Sequence, residues 1–270
     1  MTNDPLLLNN GEVPLARSRI DVAAELQLRI GRLKRDYYNS ETGRVDYHAL
    51  GDSQGFADYC DCCRLLQEYD LLRLRTAQQK TAFWINLYNS LVIHGIIALE
   101  VRETVKEIYD FFGRITYRIG IADYSADDIE HGVLRGNHRP PYGFFPPFAE
   151  DDLRMAYRVE EVDPRIHFAL VCGSSSCPPI NYYVADELER QLDMAAENFV
   201  NGAEVEVLPG QNLLKLSPIL KWYRGDFGGQ KRVLELLARY RQNPEESMFL
   251  LENGHRARIE WKDYDWALNS

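Results

Sequence analysis

The sequence predicts an α+β fold in which a central apolar helix packs on a small, mostly antiparallel sheet, with a helical part at the N-terminus. Three observations predict it. Residues 77–101 are hydrophobic nearly all round, the mark of a helix buried in the middle of a core. Short β-branched runs bounded by glycine or proline recur along the chain, as in Ile115-Thr116-Tyr117-Arg118-Ile119 before Gly120. Upstream of both, Val22, Leu26, Ile30 and Leu33 repeat at helical spacing, with lysine and arginine on the opposite face.

In order, residues 1–18 read as a loose lead-in and 20–38 as the first helix. Residues 39–44 make a turn, and 45–75 form a second helical stretch that carries Cys60, Cys62 and Cys63 as packing residues. Inside the apolar helix, Asn86, Asn89, Ser90 and His94 need partners, because an unpaired buried amide costs about 1–3 kcal/mol. Ser125 is a good N-cap for a helix over 126–135, with Asp127 and Asp128 at its positive end and Gly136 closing it. The run from Arg139 through Pro140, Pro141, Tyr142, Gly143, Phe144 and Phe145 to Phe148 is an irregular surface segment. Residues 184–201 predict an amphipathic helix stopped by Gly202, and 204–208 and 212–216 two strands joined through Pro209-Gly210. Ser217-Pro218 opens another helix, 230–240 is the next, and 257–261 is the last strand. The parts are an N-terminal helical extension, 1–75, packing on a core domain, 76–270.

Bulk properties remove several classes of function. The chain has 270 residues, 45% hydrophobic and 27% charged, enough for a sizeable core. A net charge of −10 argues against general binding to nucleic acid or to anionic membrane. The basic stretch over 17–35 reads as a solvated helix face. No apolar run approaches the ~20 residues of a bilayer span, and the first residues lack the basic start of a secretion signal. The expectation is a cytoplasmic protein with reduced thiols, and with five cysteines at least one is unpaired within the chain.

Chemistry concentrates in Ile166-His167-Phe168-Ala169-Leu170-Val171-Cys172-Gly173-Ser174-Ser175-Ser176-Cys177-Pro178-Pro179. It reads as a buried strand ending at a thiol, then a Gly/Ser loop, then a second thiol stopped by two prolines. Four residues separate the thiols, so the two-residue spacing of a thioredoxin centre is missing. A phosphatase loop would close on an arginine where Cys177 and Pro178 stand. Structural zinc would need the fold to gather Cys172, Cys177, His167 and His131. A thiol nucleophile with an imidazole base is the remaining scheme. Cys177 is its first candidate nucleophile and Cys172 the reserve, His131 the first base and His167 the reserve. Glu130 or Asp226 would orient the imidazole, and amide groups of the Gly173 to Ser176 loop would receive an oxyanion.

Several separated motifs, in order, carry a family resemblance. Ala82-Phe83-Trp84-Ile85-Asn86-Leu87-Tyr88-Asn89, then Asp128 through Asn137, then Asp163 through Ser174 with Cys177-Pro178, resemble the family called domain of unknown function 547. Trp222-Tyr223 with Asp226-Phe227, and the ending Tyr264-Asp265-Trp266-Ala267-Leu268-Asn269, are similar to its C-terminal signatures. The resemblance spans roughly residues 75–270 and singles out Asn86, Asn89, Glu130, His131, Arg135, His167, Cys172, Ser174, Cys177 and Asp226. It implies no known activity, as the family's name records.

The expected function is a thiol-dependent hydrolase or acyltransferase acting on an amide or related acyl bond, with a papain- or transglutaminase-like arrangement. Asn86, Asn89, Arg135, Ser174 and Ser176 would position or bind. The substrate would be a small molecule or peptide, with no cofactor, no nucleic acid and no membrane span; the sequence is silent on oligomeric state. The alternatives are a non-catalytic interaction module, and a zinc or redox site built from the same cysteines and histidines.

Overall fold

The structure, a computed structural model, describes residues 4–14 and 21–270. Arg17, Ile20 and the rest of 15–20 lie outside the described residues, as do 1–3. The chain divides into two compact units. The first holds Met1–Glu161, Leu170–Leu188 and Trp266–Ser270; the second holds Val162–Ala169 and Glu189–Asp265. The architecture is α+β, with small sheets in which three strand pairs are antiparallel and two are parallel.

In the first unit, the lead-in contains a two-residue strand, β1 (Leu6–Leu7), where a loose segment is expected. Helix α1 (Val22–Tyr37) starts at Asp21, whose carboxylate caps the Ala24 N–H, and it buries Val22, Leu26, Ile30 and Leu33. Strands β2 (Tyr38–Asn39) and β3 (Arg44–Val45) pair antiparallel around a turn in which the Asn39 side chain accepts from the Glu41 and Thr42 amides. The helical stretch that follows is broken into α2 (Tyr47–Gly51) and α3 (Gln54–Arg64), because Ser53 caps a new helix. Helix α4 (Ala77–Ala98) opens on a reciprocal capping box between Thr76 and Gln79. It has the length and apolarity of a bilayer-spanning helix, contrary to the expectation that no run approaches that size. Yet 78% of its most apolar window is buried inside the protein, as in the core helix of a globular unit. It lies against β4.

After α5 (Phe111–Arg114), β4 (Ile115–Ile119) pairs parallel with β1 and antiparallel with β5 (Ala122–Ser125). The Ser125 hydroxyl accepts the Asp128 N–H while the Asp128 carboxylate accepts the Ser125 N–H, which starts the next helix where the cap was expected. Its body, Asp128–Leu134, is wound as a π-helix, with Arg135 N–H donating to the Glu130 carbonyl five residues back. π-helical turns of this kind recur at functional sites.

The second unit begins with Val162–Ala169. The buried run ending at Cys172 is not a strand: Pro164–Phe168 is a 3-10 helix. Asp163 accepts the Arg165 N–H and Pro164 occupies the first turn, so an Asp-Pro start overrides the β-branched composition. The burial inferred for this run does hold, with Ile166, His167 and Phe168 all buried. Helix α6 (Leu188–Asn201), strands β6 (Val205–Leu208) and β7 (Leu213–Leu216), and α7 (Ile219–Trp222) follow, then α8 (Gln230–Tyr240) and α9 (Pro244–Glu252). Strand β8 (Arg258–Trp261) pairs parallel with β7, which pairs antiparallel with β6. Helix α9 has no counterpart in the sequence reading, although Asn243-Pro244-Glu245-Glu246 is a strong start signal: Asn243 caps both following glutamate amides. The core of this unit gathers Phe168, Phe199, Leu214, Leu220, Val233 and Leu237.

Candidate functional site

The Gly/Ser loop lies in the first unit, and helix α4 holds it at both ends. The Asn89 side-chain carbonyl accepts the Val171 N–H at 2.9 Å. The Asn86 amide pairs with the Tyr183 backbone twice, donating to its carbonyl and accepting its N–H, each at 2.8 Å. These two asparagines, one helical turn apart, therefore satisfy buried peptide groups. The C-terminal tail grips the loop between those ends. Ser174 and Leu268 form a β-bridge, Ser175 N–H donates to the Ala267 carbonyl, and Asn269 N–H donates to the Gly173 carbonyl. Asn269 is itself held by the Tyr47 hydroxyl at 2.8 Å. Gly173 has φ +80°, and a Cβ there would lie 2.5 Å from Ile96 Cδ1, so only glycine fits this turn.

Within the loop, the two sulfurs expected as separate thiols are joined: Cys172 and Cys177 form a disulfide across a separation of five residues. Cys177 Sγ accepts the Cys172 N–H at 2.9 Å and the Ser174 hydroxyl at 3.3 Å. The same hydroxyl is 3.1 Å from Cys172 Sγ. Ser174 is buried, Ser175 is exposed, and Ser176 and both cysteines are half-buried. In the oxidised state neither sulfur is a nucleophile; once reduced, Cys177 would keep two hydrogen-bond donors suited to a thiolate.

The π-helix supplies a second cluster. Glu130, His131 and Arg135 are all buried, as motif residues on an apolar helix rarely are without partners. His131 Nδ1 is 2.9 Å from the Arg135 guanidinium, which can only donate, so this nitrogen carries the lone pair and the ring proton belongs on Nε2. Glu130 Oε1 is 3.5 Å from the same nitrogen. On the other side, Nε2 faces the Tyr142 hydroxyl at 3.4 Å and Asp127 Oδ1 at 3.7 Å. Tyr142 donates to Asp127 at 2.7 Å. Burial raises the Asp127 pKa from 3.8 to about 7, with Tyr142 pulling the other way and the charges of Glu130, Asp110 and Asp128 adding to the rise. Asp127 is thus a carboxyl group that exchanges its proton near neutrality.

Tyr142 is positioned by a closed loop. The Asn137 amide brackets the Phe148 backbone with two 3.0 Å bonds, Arg135 donates to the Arg139 carbonyl, and Phe148 packs on Gly132, where a Cβ would meet its ring at 2.3 Å. Neither Asp127 nor Tyr142 is among the site residues expected from the sequence. The acidic run before His131 reads equally well as dipole complementation, and a tyrosine between proline pairs carries no spacing signal.

In the second unit, His167 Nε2 is 2.9 Å from Asp226 Oδ2, with both side chains almost wholly buried. The ring stacks on Tyr223 at 3.8 Å between centroids. This joins the reserve base to the second of the two candidate orienting carboxylates. Back in the first unit, the three cysteines of α3 are not disulfide-bonded, and one of them has an imidazole beside it. Cys60 Sγ is 3.6 Å from His94 Nε2, and His94 Nδ1 is 2.8 Å from the Tyr117 hydroxyl. Burial pushes the Cys60 thiol up to about 11 and pulls His94 down to about 4, so this pair is neutral and structural. Among the described residues no group of three or more histidine, cysteine or acidic side chains is disposed to hold a metal ion.

Residues 72–200 match the family model described as "Protein of unknown function, DUF547". The resemblance read from the motifs is thereby borne out over that segment, which contains the disulfide loop, its two asparagine anchors and the π-helical cluster; Asp226 and the C-terminal tail lie beyond it. No curated protein and no solved structure matches the chain.

Proposed function

We propose that this chain is a thiol-dependent hydrolase or acyltransferase acting on an amide or related acyl bond, with Cys177 in its reduced form as nucleophile. The observation that carries the reading is the pair of donors on Cys177 Sγ, the Cys172 N–H and the Ser174 hydroxyl, in a loop fastened by α4 and the C-terminal tail. Hydrogen bonds to sulfur favour the thiolate, and a fastened loop loses no further freedom when a substrate arrives. Proton handling falls to the His131, Tyr142 and Asp127 relay, in which His131 passes a proton through Nε2 and Asp127 is the group that titrates near pH 7. Arg135 and Glu130 fix the ring. A papain- or transglutaminase-like arrangement belongs to this proposal, as does a small-molecule or peptide substrate.

The test is acylation of the reduced protein by p-nitrophenyl acetate and by a peptide p-nitroanilide, followed by peptide mass mapping. The expected result is an acyl group on Cys177 and a pH–rate profile with an inflection near 7. In Tyr142→Phe that inflection moves upward, because the hydrogen bond that lowers the Asp127 pKa is gone. No acyl group on either loop cysteine would overturn the reading and leave a non-catalytic module as the better description.

A further inference from the structure

We propose that Cys172 and Cys177 are a reversible dithiol–disulfide couple, and that the chain catalyses thiol–disulfide exchange with external dithiols. The inference stands on the bonded pair itself and does not need the acyl chemistry; if both hold, oxidation silences the nucleophile.

The bond is redundant for the fold around it. The loop is held at Val171 and Tyr183 by Asn89 and Asn86, and at Gly173, Ser174 and Ser175 by the C-terminal tail. None of these contacts passes through sulfur. A structural disulfide in a six-residue ring would close only a short loop, where the entropic gain is smallest. Breaking it leaves the loop in place, so its use is chemical.

The two sulfurs are also unlike. Cys177 Sγ is the one that receives the Cys172 N–H, and Ser174 Oγ sits between both sulfurs. Exchange is fastest when the departing sulfur is the better thiolate, which makes Cys177 the leaving group. An external thiolate attacks Cys172 Sγ. The Cys172–Cys177 bond breaks, its electron pair goes to Cys177 as thiolate, and a mixed disulfide forms at Cys172. A second external thiolate then attacks the outer sulfur of that mixed disulfide, releasing the external disulfide and the Cys172 thiolate. The two protein thiolates take up the two protons given by the external thiols. Two electrons enter the protein, and the external dithiol is oxidised. The remaining cysteines do not interfere: Cys62 and Cys63 are buried, and burial raises the Cys60 thiol to about 11.

The full chain is equilibrated in buffers of reduced and oxidised dithiothreitol, quenched with acid, alkylated with iodoacetamide and mapped by mass. Cys172 and Cys177 are expected to pass together between disulfide and dithiol, with Cys60, Cys62 and Cys63 thiols throughout and the circular dichroism melt unchanged on reduction. In the reduction of insulin disulfides by dithiothreitol, which is slow without a catalyst, Cys177→Ser and Cys172→Ser each lose turnover, and Ser174→Ala slows reduction about tenfold. A pair that stays thiol in oxidised buffer, or that reduces only in denaturant, overturns the inference; so does a Cys177→Ser protein with wild-type turnover. Loss of acylation with the couple intact removes the hydrolase reading alone.

Discussion

His94, on α4, is buried with its ring between the Tyr117 hydroxyl and the Cys60 thiol. Burial lowers its pKa from 6.5 to about 4. The folded value is below the unfolded one, so its stabilisation is complete above pH 6.5 and is lost as the pH falls from there through about 4. That loss is roughly 3 kcal/mol, at about 1.4 kcal/mol per pH unit. Asp127 has the opposite sign: its folded pKa of about 7 exceeds the 3.8 of the free group, so its contribution is present at low pH and lost as the pH rises through 7. Urea unfolding at pH 7.5 and 4.5 checks the first of these. Asp127 pulls the other way over this interval, so the readout is the difference between proteins: on going from pH 7.5 to 4.5, His94→Phe is expected to gain about 2–3 kcal/mol relative to wild type; the same pH dependence in both would count against it. Residues were legible in the sequence where chemistry needs a type: Cys172, Cys177, Ser174, His131 and Glu130 all lie in polar clusters. The Asp127–Tyr142 contact was not legible, because the partners are fifteen positions apart, across a π-helix and an irregular segment, and only the folded loop brings them together.

Helix α4 is the element around which the first unit's site is arranged. Its asparagines satisfy Val171 and Tyr183, two peptide units that frame the disulfide loop. Asn89→Ala leaves a buried N–H unpaired and Asn86→Ala leaves both an N–H and a carbonyl, so each is expected to cost about 1–3 kcal/mol. Hydrogen exchange of peptides spanning 171–183 should quicken in both variants while the melt remains cooperative; unchanged exchange there would show that the asparagines do not hold the loop. The need for partners at these positions followed from apolar periodicity alone. What the partners would be did not, since the loop lies more than eighty residues downstream. The failure at Pro164–Phe168 has the reverse origin. A local signal, Asp163 before Pro164, outweighed composition in a run too short for periodicity to separate strand from helix.

At the scale of the whole molecule, the chain forms two α+β units, and the second interrupts the first in sequence. Residues 162–169 belong to one unit and 170–188 to the other, so the apolar run that reads as a single strand is divided between them. In the second unit, the buried His167–Asp226 pair is expected to be structurally important whatever its chemistry. Asp226→Ala strands a buried imidazole nitrogen at a cost of at least about 1–3 kcal/mol. The loss should appear as faster hydrogen exchange in α6, α8 and β6–β8, and protection equal to wild type in those elements would refute it. Separate strands and helices were largely legible, including the full extent of Ile115–Ile119 and Gln230–Tyr240, since each carries its own period and stop signals. The mixed strand pairing was not, because register between distant segments leaves no local trace.

The central claim is that the loop holds a sulfur primed to be a thiolate. It is tested most directly by reducing the protein and measuring iodoacetamide alkylation of each cysteine from pH 5 to pH 9. The account predicts that Cys177 is alkylated with a midpoint below the ~8.5 of a free thiol and that Ser174→Ala moves this midpoint upward, while Cys60 stays slow across the range. A Cys177 midpoint at or above the ~8.5 of a free thiol, unmoved in Ser174→Ala, would contradict it.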